Sequence, residues 1–454
     1  MITEKLAHFV VETKAKDVPS DALKAAQAGI TDMIGVALAG SREPQGKMIM
    51  GFVKKMGGGA TEASVIGGRF KTSTYMAALA NGTIGHALDY DDIGGWGHPS
   101  VVLAPAILAI GEDIGASGMD VLTAYVVGWE LAYCVHAVAG DAHYKQGWHV
   151  TNTSGTLGAA AAVAWLLKLN EHQVRMALGI SASLAGGSRQ NFGTMTKPLH
   201  AGRAAASGIQ AALLAQAGFT ADENIIDAPM GWTKIFGHGD AVDWAKASDY
   251  LGKTYKLASF MRIKPYPACG GTHCSIDAAL FLRKEYGIKT EDISKVELGV
   301  NPFVKQLTIH HRPRTGLEGK FSLEYTVART LISGGVGLKH LTDEAVNEPK
   351  AKSLIEKMKW VEKYPIPNLG VREGMVPYDV TVKLKDGKTL SREVKYPKGD
   401  PENPLTPEEL NYKYRDCAST VLSNADVEKS LRLLSDLRAV KNIKELMEIV
   451  VKKQ

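Results

Sequence analysis

Only four cysteines (Cys134, Cys269, Cys274 and Cys417) occur in 454 residues, and no C-x-x-C pair is among them, so a disulfide framework is excluded. Zinc is a poor fit as well, because Cys269, Cys274 and His273 lack a second pair of ligands. Neither sign of charge dominates: 53 Lys and Arg oppose 48 Asp and Glu, and aromatics make up only 7%. The net +5 is interleaved with acids, without the basic stripe or aromatic interleaving of a nucleic-acid binder. The mild excess reads first as an ordinary basic surface with no partner; among specific readings a small anionic substrate fits best, because a few cations in one cleft would serve it. No continuous apolar run reaches the roughly 18 residues that a membrane span needs. The stretch Met1 to Asp17 mixes Glu4, Lys5, Glu12 and Lys14 among apolar residues, unlike a signal or transit peptide, so a cytoplasmic address is expected. Rossmann, P-loop and nucleophile-elbow glycine patterns are also missing.

What the chain does contain is helix built from small residues. Leu23, Ala26, Ile30, Met33, Ile34 and Ala37 repeat at helical spacing after Ser20, a good N-cap. Tyr75–Asp89, Gly118–Gly140, Gly155–Leu169 and Pro198–Gly218 are rich in Ala and Gly, which lets helices pack closely. After about Met261 the composition changes. Val296, Leu298 and Val300 alternate as in a strand. So do Val380, Val382 and Leu384, before an Asp386-Gly387 turn leading to Leu390 and Val394. Helices are expected between these strands, around Leu323–Ile332 and Pro349–Met358. Thr406-Pro407-Glu408-Glu409 starts helix again. The expected architecture is mainly α: a helical domain over 1–262, an inserted smaller α+β domain over 263–400, and C-terminal helices over 401–454 rejoining the first domain.

Four segments carry chemistry. His86-Ala87-Leu88-Asp89-Tyr90-Asp91-Asp92 runs into Gly94-Gly95-Trp96-Gly97-His98. Acids at a helix C-terminus oppose its dipole, so a nearby His or Lys must compensate; the alternatives are an ordinary capped turn or a metal loop, though not of calcium spacing. Gly147-Trp148-His149 precedes the capping residues Thr151 to Ser154. His149 therefore belongs near a helix N-terminus, where the dipole favours neutral imidazole and draws anions. It is either a general base or simply part of the cap. In Thr196-Lys197-Pro198-Leu199-His200, Pro198 fits the first helical position and makes Lys197 the N-cap, a place where Lys breaks the usual rule. Lys264-Pro265-Tyr266-Pro267-Ala268-Cys269-Gly270-Gly271-Thr272-His273 is a rigid, then flexible loop that says little alone.

Together with Phe321-Ser322-Leu323-Glu324-Tyr325, Tyr396-Pro397-Lys398-Gly399-Asp400-Pro401 and Lys413-Tyr414-Arg415, these segments resemble the MmgE/PrpD family in order and spacing. The resemblance implies a helical domain with an α+β lid domain, a homodimer, and no metal or other cofactor. It also implies a small carboxylate substrate, with no nucleic acid or membrane as partner. By similarity, Asp89, His98, His149 and Lys197 fall on catalytic positions, with Lys264 and Tyr325 on substrate-binding positions beside them. Cys269 stands where the family's decarboxylases carry a His, and His273 follows as its partial replacement. The expected activity is therefore that of a dehydratase-type lyase, abstracting a proton next to a carboxylate of a di- or tricarboxylate. Epimerisation of a dicarboxylate such as iminodisuccinate is the alternative. Decarboxylation of the cis-aconitate type and a non-catalytic carboxylate-binding protein rank below these.

Overall fold

The computed structural model describes residues 1–237, 243–365 and 377–451. They form two units, Met1–Ile263 with Thr406–Gln454, and Lys264–Leu405.

The first unit is helical. In chain order it contains α1 (Ile2–Glu12), α2 (Ser20–Gly40), α3 (Pro44–Met56), α4 (Thr74–Gly85), α5 (Ser100–Ile114), α6 (Gly118–Lys145), α7 (Val150–Leu166), α8 (Glu171–Leu184) and α9 (Thr196–Gln216). A minimal hairpin of β1 (Ala63–Ser64) and β2 (Lys71–Thr72) precedes α4. Helix α2 begins one residue earlier than its capping pattern suggests, with Pro19 at the cap and Ser20 inside. From Gly29 to Gly40 every residue of α2 is buried, and α5 and α7 are buried almost throughout. A helix apolar on all sides belongs at the centre of a domain. The segment Gly118–Gly140 of α6 has the length and composition to cross a membrane, but 78% of its most apolar window is buried inside the protein, as expected of a core helix. Gly140 (φ 63°) breaks the helix there.

Glycine permits the closest helix contacts. A Cβ on Gly202 of α9 would lie 2.1 Å from the Leu79 carbonyl oxygen of α4, and one on Gly82 would lie 2.7 Å from Gly202 Cα. Gly128 of α6 and Gly158 of α7 abut in the same way, each Cβ falling within 2.7 Å of the other's carbonyl oxygen. These contacts hold α4 and α9 at a fixed distance, which matters because each helix leads into the site described below.

The C-terminal helices α13 (Pro407–Ala418), α14 (Asn424–Ser435) and α15 (Lys444–Val450) belong to this unit. Thr406 and Glu409 form a reciprocal capping box, with Pro407 in the first turn of α13. Tyr414 of α13 packs over Gly35 of α2, and Lys413 Nζ reaches Asp32 Oδ1 of α2 at 2.6 Å.

The second unit is α+β. Helix α10 (His273–Tyr286), helix α11 (Leu323–Ser333) and helix α12 (Pro349–Ile355) accompany a four-stranded sheet of order β4-β3-β5-β6. Its strands are β3 (Ile293–Val300), β4 (Met358–Glu362), β5 (Tyr378–Leu384) and β6 (Thr389–Val394). β3 runs antiparallel to β5, with Val296 opposite Val382, and β5 and β6 form the Asp386-Gly387 hairpin. Ile276, Ala279, Leu282, Leu298, Leu331 and Val380 lie in its core. Strand β4, parallel to β3, departs from expectation: helix was anticipated through Met358, yet α12 ends at Ile355. Trp360 and Val361 favour strand, and the open edge of β3 supplies the pairing that local propensity alone does not.

Overpacking a well-filled contact costs about 1–3 kcal/mol. Gly202→Ala is therefore expected to lower the thermal midpoint by several degrees, whereas Gly51→Ala, on α3 with nothing near its Cβ, leaves it unchanged or raises it slightly. Differential scanning calorimetry of both variants checks this.

Candidate active site

Helix α4 ends at Gly85, with His86 as its C-cap, and the chain turns back through Ala87 to Asp92. Asp89 sits in the left-handed region (φ 50°), a conformation that Asp tolerates better than most residues. The turn is held from outside. Lys413 Nζ donates to the Tyr90 carbonyl oxygen at 2.6 Å and lies 3.9 Å from the centre of the Tyr90 ring.

Asp89 meets Lys197. Nζ is 2.6 Å from Asp89 Oδ1, and both side chains are about 5% exposed. Lys197 is not the N-cap expected from Pro198. Thr194 to Lys197 make a tighter turn, with the Lys197 N–H donating to the Thr194 carbonyl at 3.2 Å, so the helix begins at Thr196 and Lys197 lies within its first turn. A cation there still opposes the dipole. Asp89 supplies the compensation, just as Lys197 compensates an acid beyond the C-terminal end of α4.

Asp91 is the second anchor. Its carboxylate accepts from His86 Nδ1 at 2.8 Å and from His98 Nδ1 at 2.9 Å. Burial works against the Asp91 charge, but these two imidazoles hold its carboxyl well below the usual range. Burial, followed by Lys197 and His98 among the opposing charges, outweighs Asp91 and lowers His86 to about 3. His86, lowered in this way, donates from Nδ1 and keeps its lone pair on Nε2, while His98 Nε2 stands 3.9 Å from Asp89 Oδ1. Asp92 is pushed well above the ordinary range by burial and by neighbouring Asp91, and its Oδ1 accepts from the Ser100 N–H at the start of α5.

His149 is the N-cap residue of α7. Its ring stacks 6.3 Å from His86 and edge-on 5.0 Å from Phe192, over which Lys197 Nζ lies at 5.4 Å. Burial first, then Lys197, drives the His149 pKa well below 6.5, so the imidazole is neutral. Its Nδ1 is 2.9 Å from Nδ1 of His200.

Asp89, His98, His149 and Lys197 therefore converge on one buried cluster, which also takes in His86, Asp91 and His200. Sequence reasoning singled out none of these last three. Two carried a readable signal: His200 follows Lys197 by three residues on one helix face, and Asp91 lies between His86 and His98. His86, Asp89, Asp91 and His98 also offer four donor atoms within 4.8 Å of one another, in the segment where the sequence left a metal loop open as an alternative. Both Asp91 oxygens already accept imidazole N–H groups, and the Lys197 ammonium sits on Asp89, so in this arrangement Lys197 supplies the positive charge.

Lys264, Cys269, His273 and Tyr325 belong to the second unit. Lys264 opens the unit. The Cys269 N–H donates to the Lys320 carbonyl at 2.9 Å, and His273 Nε2 bonds the Ala268 carbonyl at 3.1 Å, which shapes the loop before α10. The Tyr325 hydroxyl donates to the His340 carbonyl, so its proton is committed to the fold.

Residues 4–245 match the MmgE/PrpD N-terminal domain, and residues 266–438 match the MmgE/PrpD C-terminal domain. Cis-aconitate decarboxylase of Homo sapiens is 29% identical over 387 residues, covering 82% of this chain and 79% of that protein. The Mus musculus protein of the same name is 26% identical, covering 99% and 93% respectively. Mitochondrial 2-methylcitrate dehydratase of Yarrowia lipolytica is 23% identical, covering 88% and 80%.

Removing one partner of a buried ion pair strands the other charge, at about 3–5 kcal/mol. Lys197→Ala is expected to lose that much stability, and the double variant Asp89→Asn/Lys197→Met to regain most of it without regaining function. Urea denaturation of the two proteins checks the coupling. Equal stabilities would show that the pair is not buried in solution.

Proposed function

The chain belongs to the MmgE/PrpD family, and on that footing we propose that it is a cofactor-independent lyase of the dehydratase type, acting on a small di- or tricarboxylate. One observation carries the proposal: an imidazole kept neutral by burial, His149, shares a cluster with the ammonium of Lys197, the imidazole of His98 and the carboxylate of Asp89.

The chemistry follows from those groups. A proton on carbon next to a carboxylate is weakly acidic, because its loss concentrates negative charge on the carboxylate oxygens. A fixed cation in a site shielded from water stabilises that charge far better than solvent does. Lys197 is this cation. Asp89 holds Lys197 in place through the ion pair. His149 accepts the proton. Its pKa, low when no anion is bound, rises beside a polycarboxylate, bringing it toward the range where a base works best. The carbon's electron pair forms the double bond as the hydroxyl leaves, and a proton delivered by way of His98 converts that hydroxyl to water. Return of a proton to the opposite face, with no group leaving, would make the same residues an epimerase.

A second reading rests on the relatives named cis-aconitate decarboxylase, whose identities exceed that of the relative named 2-methylcitrate dehydratase. In that reaction the C–C electron pair stays on carbon as carbon dioxide departs, and the carbon then takes a proton. Cys269, a weaker proton donor than imidazole at neutral pH, stands against it.

Incubation with a panel of hydroxy and unsaturated polycarboxylates in heavy water separates these outcomes. The expected result is deuterium exchange next to a carboxylate with dehydration and no carbon dioxide, slowed at least ~100-fold in His149→Ala, the usual worth of a positioned base. Exhaustive chelation is expected to leave the rate unchanged. Rapid carbon dioxide release would favour decarboxylation, and tight binding without exchange would mark a binding protein. Exchange that is indifferent to His149→Ala would move the base to His98 or Asp89.

A further inference from the structure

His200 has no part in the chemistry just described, yet its ring makes a close polar contact with the ring of the proposed base. Its Nδ1 lies 2.9 Å from Nδ1 of His149, with the rings 5.1 Å apart and tilted by 57°. Both rings are nearly buried, at 7% and 3% exposure. At this distance the two nitrogens share one proton. Two lone pairs would repel, and two N–H groups would clash. One ring therefore donates from Nδ1 and the other accepts there, so the tautomers of the two residues are locked together.

We infer that His200 is a positioning residue that accepts the Nδ1 proton of His149 and thereby keeps the His149 Nε2 lone pair available to take a proton from substrate. This rests on the reading of His149 as the base. The arrangement follows the general logic of a base oriented by a third group, with an imidazole in the place more often taken by a carboxylate. The difference has a physical reason. A carboxylate behind His149 would add negative charge next to a site that must receive a polycarboxylate, whereas a neutral imidazole fixes the tautomer without that repulsion. When His149 takes up a proton at Nε2, its Nδ1–H still donates to His200, and the bond becomes charge-assisted and stronger. The positioning is thus worth more after proton transfer than before it, the condition for a contact to raise rate rather than affinity.

The neighbourhood holds His200 in place. Gly187 (φ 97°) passes so close that a Cβ there would lie 3.4 Å from His200 Cγ and 3.1 Å from Asn152 Nδ2. The Gly187 carbonyl accepts the His149 backbone N–H at 2.9 Å, so one backbone segment braces both histidines. His200 is also on α9, three residues after Lys197, which ties the orientation of the base to the helix that carries the cation.

The test needs no known substrate for its first arm. Protein labelled with 15N-histidine, examined by long-range proton–nitrogen correlation at neutral pH, reports which ring nitrogen of each residue bears the proton. The expectation is Nδ1–H at His149 and a bare Nδ1 at His200. His200→Phe, similar in shape but with no acceptor, should leave His149 in mixed tautomers. His200→Asn, whose amide oxygen can lie near the former Nδ1, should restore the single form. In the second arm, on whichever polycarboxylate is turned over, His200→Phe should lower kcat by at least about tenfold with KM changed less than about threefold, and His200→Asn should recover much of the loss. Nε2–H at His149 in the unaltered protein, or a His200→Phe variant with unchanged tautomer and kcat, would overturn the inference. If His200→Phe does not fold, the spectrum of the unaltered protein and the His200→Asn variant still decide. If no acid is turned over, the proposed function fails while the tautomer measurement stands independently.

Discussion

A buried ion pair between Lys197 and Asp89 is the constraint on which the rest of the site depends. Each partner sits where a charge is locally unfavourable, Lys197 in the first turn of α9 and Asp89 just beyond the end of α4. Neither position is tolerable without the other. The pair therefore fixes the two helix ends relative to each other, and the Gly82–Gly202 contact sets the distance at which they meet. Lys413, from a helix more than three hundred residues later in the chain, closes the arrangement from the opposite side by gripping the Tyr90 carbonyl and Asp32. Buried pairs of this kind give little net stability, because desolvation consumes most of the Coulomb gain. What they give here is geometry.

That geometry makes an uneven electrostatic environment out of a few residue types. Asp91 is held ionised by two imidazoles, while Asp92, one residue on, is pushed toward its neutral form by burial and by Asp91 itself. Burial and the Lys197 ammonium keep His149 and His200 neutral, the latter at about 4. On the proposed function, an available imidazole, a fixed cation and a suppressed neighbouring acid would serve proton transfer on an anion. Titratable groups whose environments push them apart are what such a reaction requires.

Much of this was readable from the chain. The Ala- and Gly-rich periodicity gave the helical character, and the Asp386-Gly387 turn between alternating residues gave the hairpin. Broken local rules pointed to the segments that meet in the cluster: acids at a helix C-terminus and a Lys expected at an N-cap. What escaped depended on contacts distant in sequence. Met358–Glu362 is a strand only because β3 offers an edge, and Lys197 lies inside the helix because the preceding turn is tighter than Pro198 implies. His86 and Asp91 were in plain view within the His86–Asp92 segment, but that Asp91 serves two imidazoles is a property of the folded loop. His200 was hidden by the same limit, since its partner lies 51 residues earlier.

The central claim is that this cluster receives a polycarboxylate with the reacting carbon beside His149. A crystal structure with a slowly reacting tricarboxylate bound tests it most directly. The account predicts a ligand carboxylate oxygen within about 3.2 Å of Lys197 Nζ and a carbon-bound hydrogen facing His149 Nε2. A ligand bound in full occupancy away from both residues, with the Lys197–Asp89 pair undisturbed, would contradict it.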